Sequence, residues 1–286
     1  MPSNAEVIEE FRAQGGRVGG WFAGAPLVLL TTAGRRTGRP HTTPAVYRRD
    51  GNRYLVFGSN AGAPEHPQWY RNMLVDPQVT MEIGSPEGDV RAYAVRAVPL
   101  EGAERDRYWE QQCAADPGFR AYEERTERSI PVVALVPLDL SLPEWNRAVG
   151  EHLLRHHADL WADLARVRAE LAGTPSDAPG LPEQLRAHCL SYCYGLQMHH
   201  TRENGAFTAV EERYPHLAPA LDRLRAEHRV VERGLAELQA LLDGGHPHNA
   251  AEVRDKVDRV VAELEGHFAY EEEHLLPALG VTRPAA

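Results

Sequence analysis

Two phrases in the second half of the chain, His199-His200-Thr201-Arg202-Glu203 and His267-Phe268-Ala269-Tyr270-Glu271, each set a histidine and a glutamate four residues apart. On a helix that spacing puts both side chains on one face, about one turn apart. A neutral imidazole beside a carboxylate chelates a first-row metal such as iron. Upstream of each phrase a lone histidine is followed by an aliphatic at the third position and a leucine at the seventh: His157, Leu160, Leu164 and again His228, Val231, Leu235. The separation between lone histidine and pair nearly repeats as well. One such pair by itself is usually a solvated face, and one lone histidine a satisfied core residue. Recurrence of the histidines together with their apolar neighbours points instead to a metal site. The chain therefore reads as two helical hairpins of one design, converging inside a four-helix bundle.

The two halves of the chain differ in composition. Of 14 histidines only His41 and His66 precede residue 145. Short strand-like runs dominate before that point and long helical periods after it. The 286 residues are enough for two domains, each with its own core. The expected domains are residues 1–140 and 141–286. A net charge of −10 supplies no cationic footprint for nucleic acid, so no nucleic-acid partner is expected. No apolar run is long enough to span a membrane, and the acidic start lacks a signal-peptide core. Cys113, Cys189 and Cys193 make an odd, sparse set without a CxxC, which suits a reducing cytoplasm. Cys189 and Cys193 share a helix face, more as small buried residues than as thiolate ligands.

In the first half, Asn4 to Gln14 reads as a helix with an Asn N-cap and Gly15-Gly16 as its stop. Six apolar or alternating runs follow: 27–32, 42–47, 54–59, 79–83, 90–98 and 131–136. Asp50-Gly51 between two of them is a hairpin signal. Helical segments are expected at 67–74 and from Glu101 to about Cys113. Six short, mostly antiparallel strands suggest a small barrel or sandwich. Two loops carry candidate chemistry. Gly34 to His41 follows a strand and concentrates three arginines between glycines, a plausible cradle for phosphate or carboxylate, although the loop by itself reads more readily as a solvated basic hairpin. Ser59 to Asn72 runs through small residues into an aromatic turn, either the wall of a slot for a planar ligand or a strand-to-helix connection with Trp69 in the core.

In the second half, Ser141 with Glu144 reads as a capping box opening a helix that runs to Ala172. Pro182 opens a second helix ending near Tyr214-Pro215, and Pro219 a third ending at Gly244-Gly245. Asn249 with Glu252 caps a fourth that stops at Gly280. Their amphipathic periods and modest connections describe an antiparallel bundle.

The patterns LLTTAGRRTGRP…P, GSNAGAPEHPQWYRN and DPGFRAYEERTERSIPV, in this order and spacing, resemble the deazaflavin-dependent nitroreductase family over residues 5–138. The resemblance implies a split β-barrel of flavin-reductase type. It implies coenzyme F420 as cofactor, with hydride delivered to a quinone, nitro compound or other small organic acceptor. Matched residue by residue, Arg35, Arg36, Thr37, Gly38, His41 and Pro44 fall in the segment that binds the cofactor's anionic tail. Ser59, Asn60, Gly62, Ala63, Trp69 and Asn72 fall in the segment that holds the ring. Of three acceptor-pocket tyrosines in the best-known nitro-reducing member, Asp116, Phe119 and Tyr122 occupy the places, so only Tyr122 remains. Ser59 and Tyr122 are the candidate catalytic hydroxyls, donating to an acceptor oxygen as hydride arrives.

Residues 148–280 resemble the hemerythrin-like HHE cation-binding family, on His157, HHTRE, Glu227-His228 and HFAYEE. The resemblance implies a di-iron centre held by His157, His199, Glu203, His228, His267 and Glu271. Glu232 is an added carboxylate ligand, four residues beyond His228. His156, His200 and His274 are expected at supporting or surface positions, His152 as an alternative to His157, and Trp161, Tyr194 and Tyr270 in the packing. Three functions follow. The first is an F420-dependent reductase carrying an iron domain that senses or binds oxygen, nitric oxide or iron. The second is a non-enzymatic iron or oxygen binder with a cofactor-sensing barrel. The third is an oxidase passing deazaflavin electrons to oxygen at the iron site. A deazaflavin gives electrons in pairs and an iron pair usually takes them singly, which weakens the third, and the intact ring- and tail-binding segments favour the first.

Overall fold

The structure is a computed structural model that describes residues 2–175, 181–243 and 250–282. It resolves into two compact units, Met1–Leu138 with Thr201–Thr208, and Asp139–His200 with Ala209–Ala286.

The first helix, α1 (Asn4–Ala13), is capped by Ser3 and not by Asn4. Glu6 N–H donates to the Ser3 hydroxyl, and the Glu6 carboxylate accepts from Ser3 N–H, a reciprocal box that Asn4 is one residue too late to form. Strands β1 (Leu27–Ala33), β2 (Pro40–Asp50) and β3 (Arg53–Phe57) lead to the short helix α2 (Gln68–Met73). Then come β4 (Gln78–Gly84), β5 (Val90–Pro99), α3 (Gly102–Ala115), α4 (Gly118–Glu123) and β6 (Val132–Pro137). Among the described residues the strands close into one antiparallel barrel in the order β1-β2-β3-β6-β5-β4, which settles barrel over sandwich. The register Leu29↔Pro44 sets Pro44 within the β1–β2 ladder. Val28, Leu30, Val56, Met81, Val133 and Leu135 fill the interior. Each such side chain contributes about 1.5–3 kcal/mol on burial. The helix α4 falls in a stretch to which the sequence pattern assigns no element.

Among the described residues the second half forms four long helices, α5 (Pro143–Ala172), α6 (Glu183–Arg213), α7 (Ala218–Asp243) and α8 (Ala250–Ala278). The capping box expected at Ser141 does not form. Pro143 occupies the first turn, Leu142 becomes the cap, and no side chain hydrogen-bonds it. The stop at Gly244-Gly245 and the Asn249 cap lie outside the described residues. Leucines and valines at helical spacing from all four helices, with Cys189 and Cys193, share one apolar cluster. Burial pushes both thiols up to about 12, so they stay protonated packing residues. Among the described residues no helix is long and apolar enough to cross a membrane.

Candidate cofactor and metal sites

The hairpin between β1 and β2 closes on itself. Gly34 N–H donates to Arg39 O at 2.8 Å, Gly38 N–H to Gly34 O at 2.7 Å, and Gly38 takes a φ of 71°. Arg35, Arg36, Thr37 and His41 stand exposed on it. Gly34, Arg35, Arg36, Thr37 and Gln68 line a half-open cavity of about 240 Å³. Two guanidinium groups at the mouth of such a cavity fit an anionic tail. Asn72 is fully buried below it. Its side-chain oxygen accepts from Arg35 N–H at 3.2 Å, and its amide donates to Thr32 Oγ1 at 2.9 Å. Asn72 thus holds the hairpin rather than presenting itself to a ligand.

The second segment leaves β3 and turns sharply. Asn60, Ala61 and Gly62 take φ values of 48°, 51° and 79° in succession. A Cβ at Gly62 would meet Tyr122 O and Arg125 Cβ, each at 2.9 Å. This turn is therefore packed backbone to backbone against the end of α4. Tyr122 is half-buried there, its ring edge-on to Phe119 at 5.6 Å. Ser59 and Ala63 are half-buried and Asn60 is exposed. Trp69, by contrast, lies in the barrel core, because α2 turns it inward against Met73 and Val79. Of the expected ring-binding residues, then, Ser59 through Ala63 share one turn with Tyr122 beside it, while Trp69 and Asn72 support from within. Nothing in the sequence singles out Arg128. It donates to three backbone carbonyls of this turn, contacts some 65 to 70 residues away in sequence that no local pattern signals.

Among the described residues, α5, α6, α7 and α8 bring histidines and glutamates together in two groups. One is His157, His199, Glu203 and Glu271; the other is His200, Glu203, His228 and His267. Within each, ligand-type atoms lie within 4.8 Å of one another, and every member is buried. Glu203 belongs to both. Glu271 Oε2 lies 3.3 Å from His157 Nε2 and 3.9 Å from His267 Nε2, a histidine of each group. Buried imidazoles around shared carboxylates are a donor set that fits a pair of first-row divalent ions. Iron held there would supply one-electron redox chemistry and affinity for small diatomic ligands. His200 is fully buried in the second group, not at the surface. Glu232 is half-buried and stands in neither group.

Two carboxylates outside the groups orient ligands within them. His157 Nδ1 donates to Glu272 at 2.9 Å and His267 Nδ1 to Glu227 at 2.9 Å, so Nε2 is the nitrogen of each ring that could hold a metal. Burial pushes the Glu227 carboxyl up, but His267 and Arg223 together hold it below its usual range.

The chain thus joins a closed barrel that carries a cationic hairpin to helices that gather buried histidine–carboxylate groups able to hold metal. Residues 4–137 match the F420H(2)-dependent quinone reductase family and residues 149–284 the hemerythrin HHE cation binding domain. An F420H(2)-dependent quinone reductase of Mycobacterium tuberculosis is 36% identical over 129 residues, 44% of this chain and 83% of the relative. A solved F420-H2 dependent reductase (FDR-A) is 32% identical, covering 38% of this chain and 93% of its own, at a TM-score of 0.34. The chain belongs to the F420H(2)-dependent quinone reductase family and carries a hemerythrin-like domain behind it.

Proposed function

We propose that the barrel is a reductase that takes hydride from reduced coenzyme F420 and gives it to a quinone, nitro compound or other small organic acceptor. The observation that carries this is the packing of the Ser59–Ala63 turn on Tyr122, which sets two hydroxyl-bearing residues on adjoining backbone of a barrel whose β1–β2 hairpin lines an anion-receptive cavity. Arg35, Arg36 and Thr37 bind the anionic tail; Ser59 to Ala63 hold the ring. Ser59 and Tyr122 donate to the acceptor oxygen, which gains negative charge as hydride adds to its conjugated system. One proton from these donors or solvent completes the two-electron reduction of a quinone.

The four helices are read as an antiparallel bundle of hemerythrin kind, with the domain boundary at residues 140/141. The bundle holds a di-iron centre that binds or senses oxygen, nitric oxide or iron. The ligands proposed are His157, His199, Glu203, His228, His267 and Glu271, with His200 added from the geometry. A cytoplasmic location suits three reduced cysteines.

The test is to mix the iron-loaded protein with reduced F420, with and without a quinone, in nitrogen and in air, and to follow the return of the oxidised deazaflavin absorbance. Quinone-dependent oxidation in nitrogen is expected, unchanged when His199 and Glu203 are replaced. Oxidation that needs air and iron would establish the oxidase instead. Absence of F420 binding would leave a non-enzymatic metal protein.

A further inference from the structure

We propose that Arg128 is the positioning residue of the deazaflavin-binding turn, a guanidinium that fixes the backbone of Ser59 from behind. This rests on reading Ser59–Ala63 as the segment that holds the cofactor ring.

Arg128 lies half-buried between α4 and β6. Its Nη1 donates to Gly58 O at 3.0 Å, its Nη2 to Ser59 O at 2.6 Å, and its Nε to Ala63 O at 3.0 Å. One planar fork thereby ties together both ends of the turn. Nη1 also stands 3.2 Å from His66 Nδ1. Because arginine only donates, His66 accepts there and is neutral, with its hydrogen on Nε2.

The turn needs such a clamp. Asn60 and Ala61 both sit in the left-handed region, where a Cβ is unfavourable. The turn has local bonds of its own: Gly62 N–H to Ser59 O and Ala63 N–H to Asn60 O, each 2.9 Å, and Asn60 Nδ2 to Glu65 O at 3.0 Å. None of these fastens it to the rest of the barrel, and the bond from Gly58 N–H to Pro131 O, at 2.8 Å, ties down its start without its far end. Arg128 fastens both ends, and Gly62 abutting Tyr122 O leaves the other side no slack.

The charge is deployed unusually as well. Arg53 and Arg120 each bridge two carboxylates. Among the described residues no carboxylate pairs with Arg128, and its partners are carbonyl dipoles and a neutral imidazole. The Glu65 carboxylate acts on it only from beyond salt-bridge range, so no close counter-charge neutralises the guanidinium. Lysine, with one nitrogen, cannot span three separate carbonyls, so shape and not charge alone is required.

The test is fluorescence titration of coenzyme F420 into the full iron-loaded chain, as wild type, Arg128→Ala and Arg128→Lys, with steady-state rates alongside. The expected result for both variants is a dissociation constant and a KM for F420 raised about tenfold, with kcat far less affected. Millimolar guanidinium ion, but not methylammonium, should restore binding to Arg128→Ala. If that variant fails to fold, Arg128→Lys carries the comparison. Wild-type affinity in a folded variant would overturn the proposal, as would full function of Arg128→Lys, which would reduce the residue to a point charge. If the wild type itself shows no F420 binding, the function assigned to the turn fails, and the cofactor role of Arg128 fails with it. Flat titrations of every protein distinguish that outcome from a difference between variants.

Discussion

Glu227 Oε2 accepts from Nδ1 of His267 at 2.9 Å, while its other oxygen takes Arg223 Nε at 2.7 Å. An ionised carboxylate can only accept, so His267 carries its hydrogen on Nδ1 and turns its Nε2 lone pair toward His228 Nε2, 3.1 Å away. Tautomer and ring orientation of His267, a proposed ligand, are thus set by a residue on the neighbouring helix. Glu227→Gln keeps an acceptor but loses the charge that makes the imidazole a strong donor. It should weaken iron binding about 10-fold, and Glu227→Ala up to about 100-fold. Competition against a chelator of known affinity measures this; unchanged affinity in both would remove Glu227 from the site.

His200 and Glu232 give opposite predictions. His200 is a member of the second buried group, and Glu232 is a member of neither. His200→Gln should lower bound iron from about two per chain toward one, with helix content retained. Glu232→Gln should leave the iron content unchanged. Metal analysis of the purified proteins decides, and the reverse pattern would restore Glu232 as the ligand expected from sequence.

The histidine–glutamate pairs are legible in sequence because i, i+4 spacing is a local property of a helix. His200 is not, because it sits about 100° round the helix from His199 and so appears to leave the ligand face. A helix flanked by buried neighbours presents a wider arc than one face. Adjacent histidines can then serve two groups that share Glu203. The barrel strands are legible for the same local reason, through alternation and turn residues. What joins them to the site is not: Asn72 to Arg35, or Arg128 to Gly58 and Ala63, are contacts made only once the barrel closes. Trp69 was ambiguous because an aromatic beside a small-residue turn suits a ligand wall and a core equally well; α2 decides it for the core.

His66 should make stability fall in mild acid. Burial lowers its pKa, and the cations Arg128 and Arg71 lower it further, from an ordinary value of 6.5. Below pH 6.5 the unfolded chain then binds more protons than the folded one, so stability present above that pH is lost as pH falls toward the folded value. His66→Gln keeps an acceptor for Arg128 and removes the titration. Its melting temperature should decline less than that of the wild type between about pH 6.5 and 5. The difference between the two profiles isolates His66 from the metal-site histidines. Parallel profiles would show that His66 titrates alike in both states.

Arg35 and Arg36 stand exposed at a cavity mouth, so their contribution to an anionic tail should be electrostatic and screened by salt. Replacing both with serine should weaken F420 binding about 10-fold or more at low ionic strength and by less at high ionic strength. Thermal stability should hold, since the hairpin is closed by Gly34, Gly38 and Asn72 and not by the guanidinium groups. An affinity loss independent of salt would mean that the arginines act through shape.

Gly62 separates conformational need from chemistry most sharply. At φ 79° any side chain is strained, and a methyl group would press on Tyr122 O and Arg125 Cβ at 2.9 Å, the first of them backbone that cannot swing aside. Relief requires the turn to rise away from α4, or α4 to shift with Tyr122. Gly62→Ala should therefore destabilise the barrel by about 1–3 kcal/mol. Among folded molecules it should raise KM for F420 and lower kcat together, because ring position and the Tyr122 hydroxyl move as one. Gly38→Ala is the control. Its φ of 71° carries similar backbone strain, but its Cβ would meet nothing within 4 Å. It should share the loss of stability while leaving kcat near that of the wild type. Equal kinetic damage from the two substitutions would show that strain alone, and not contact with α4, is what the turn cannot tolerate.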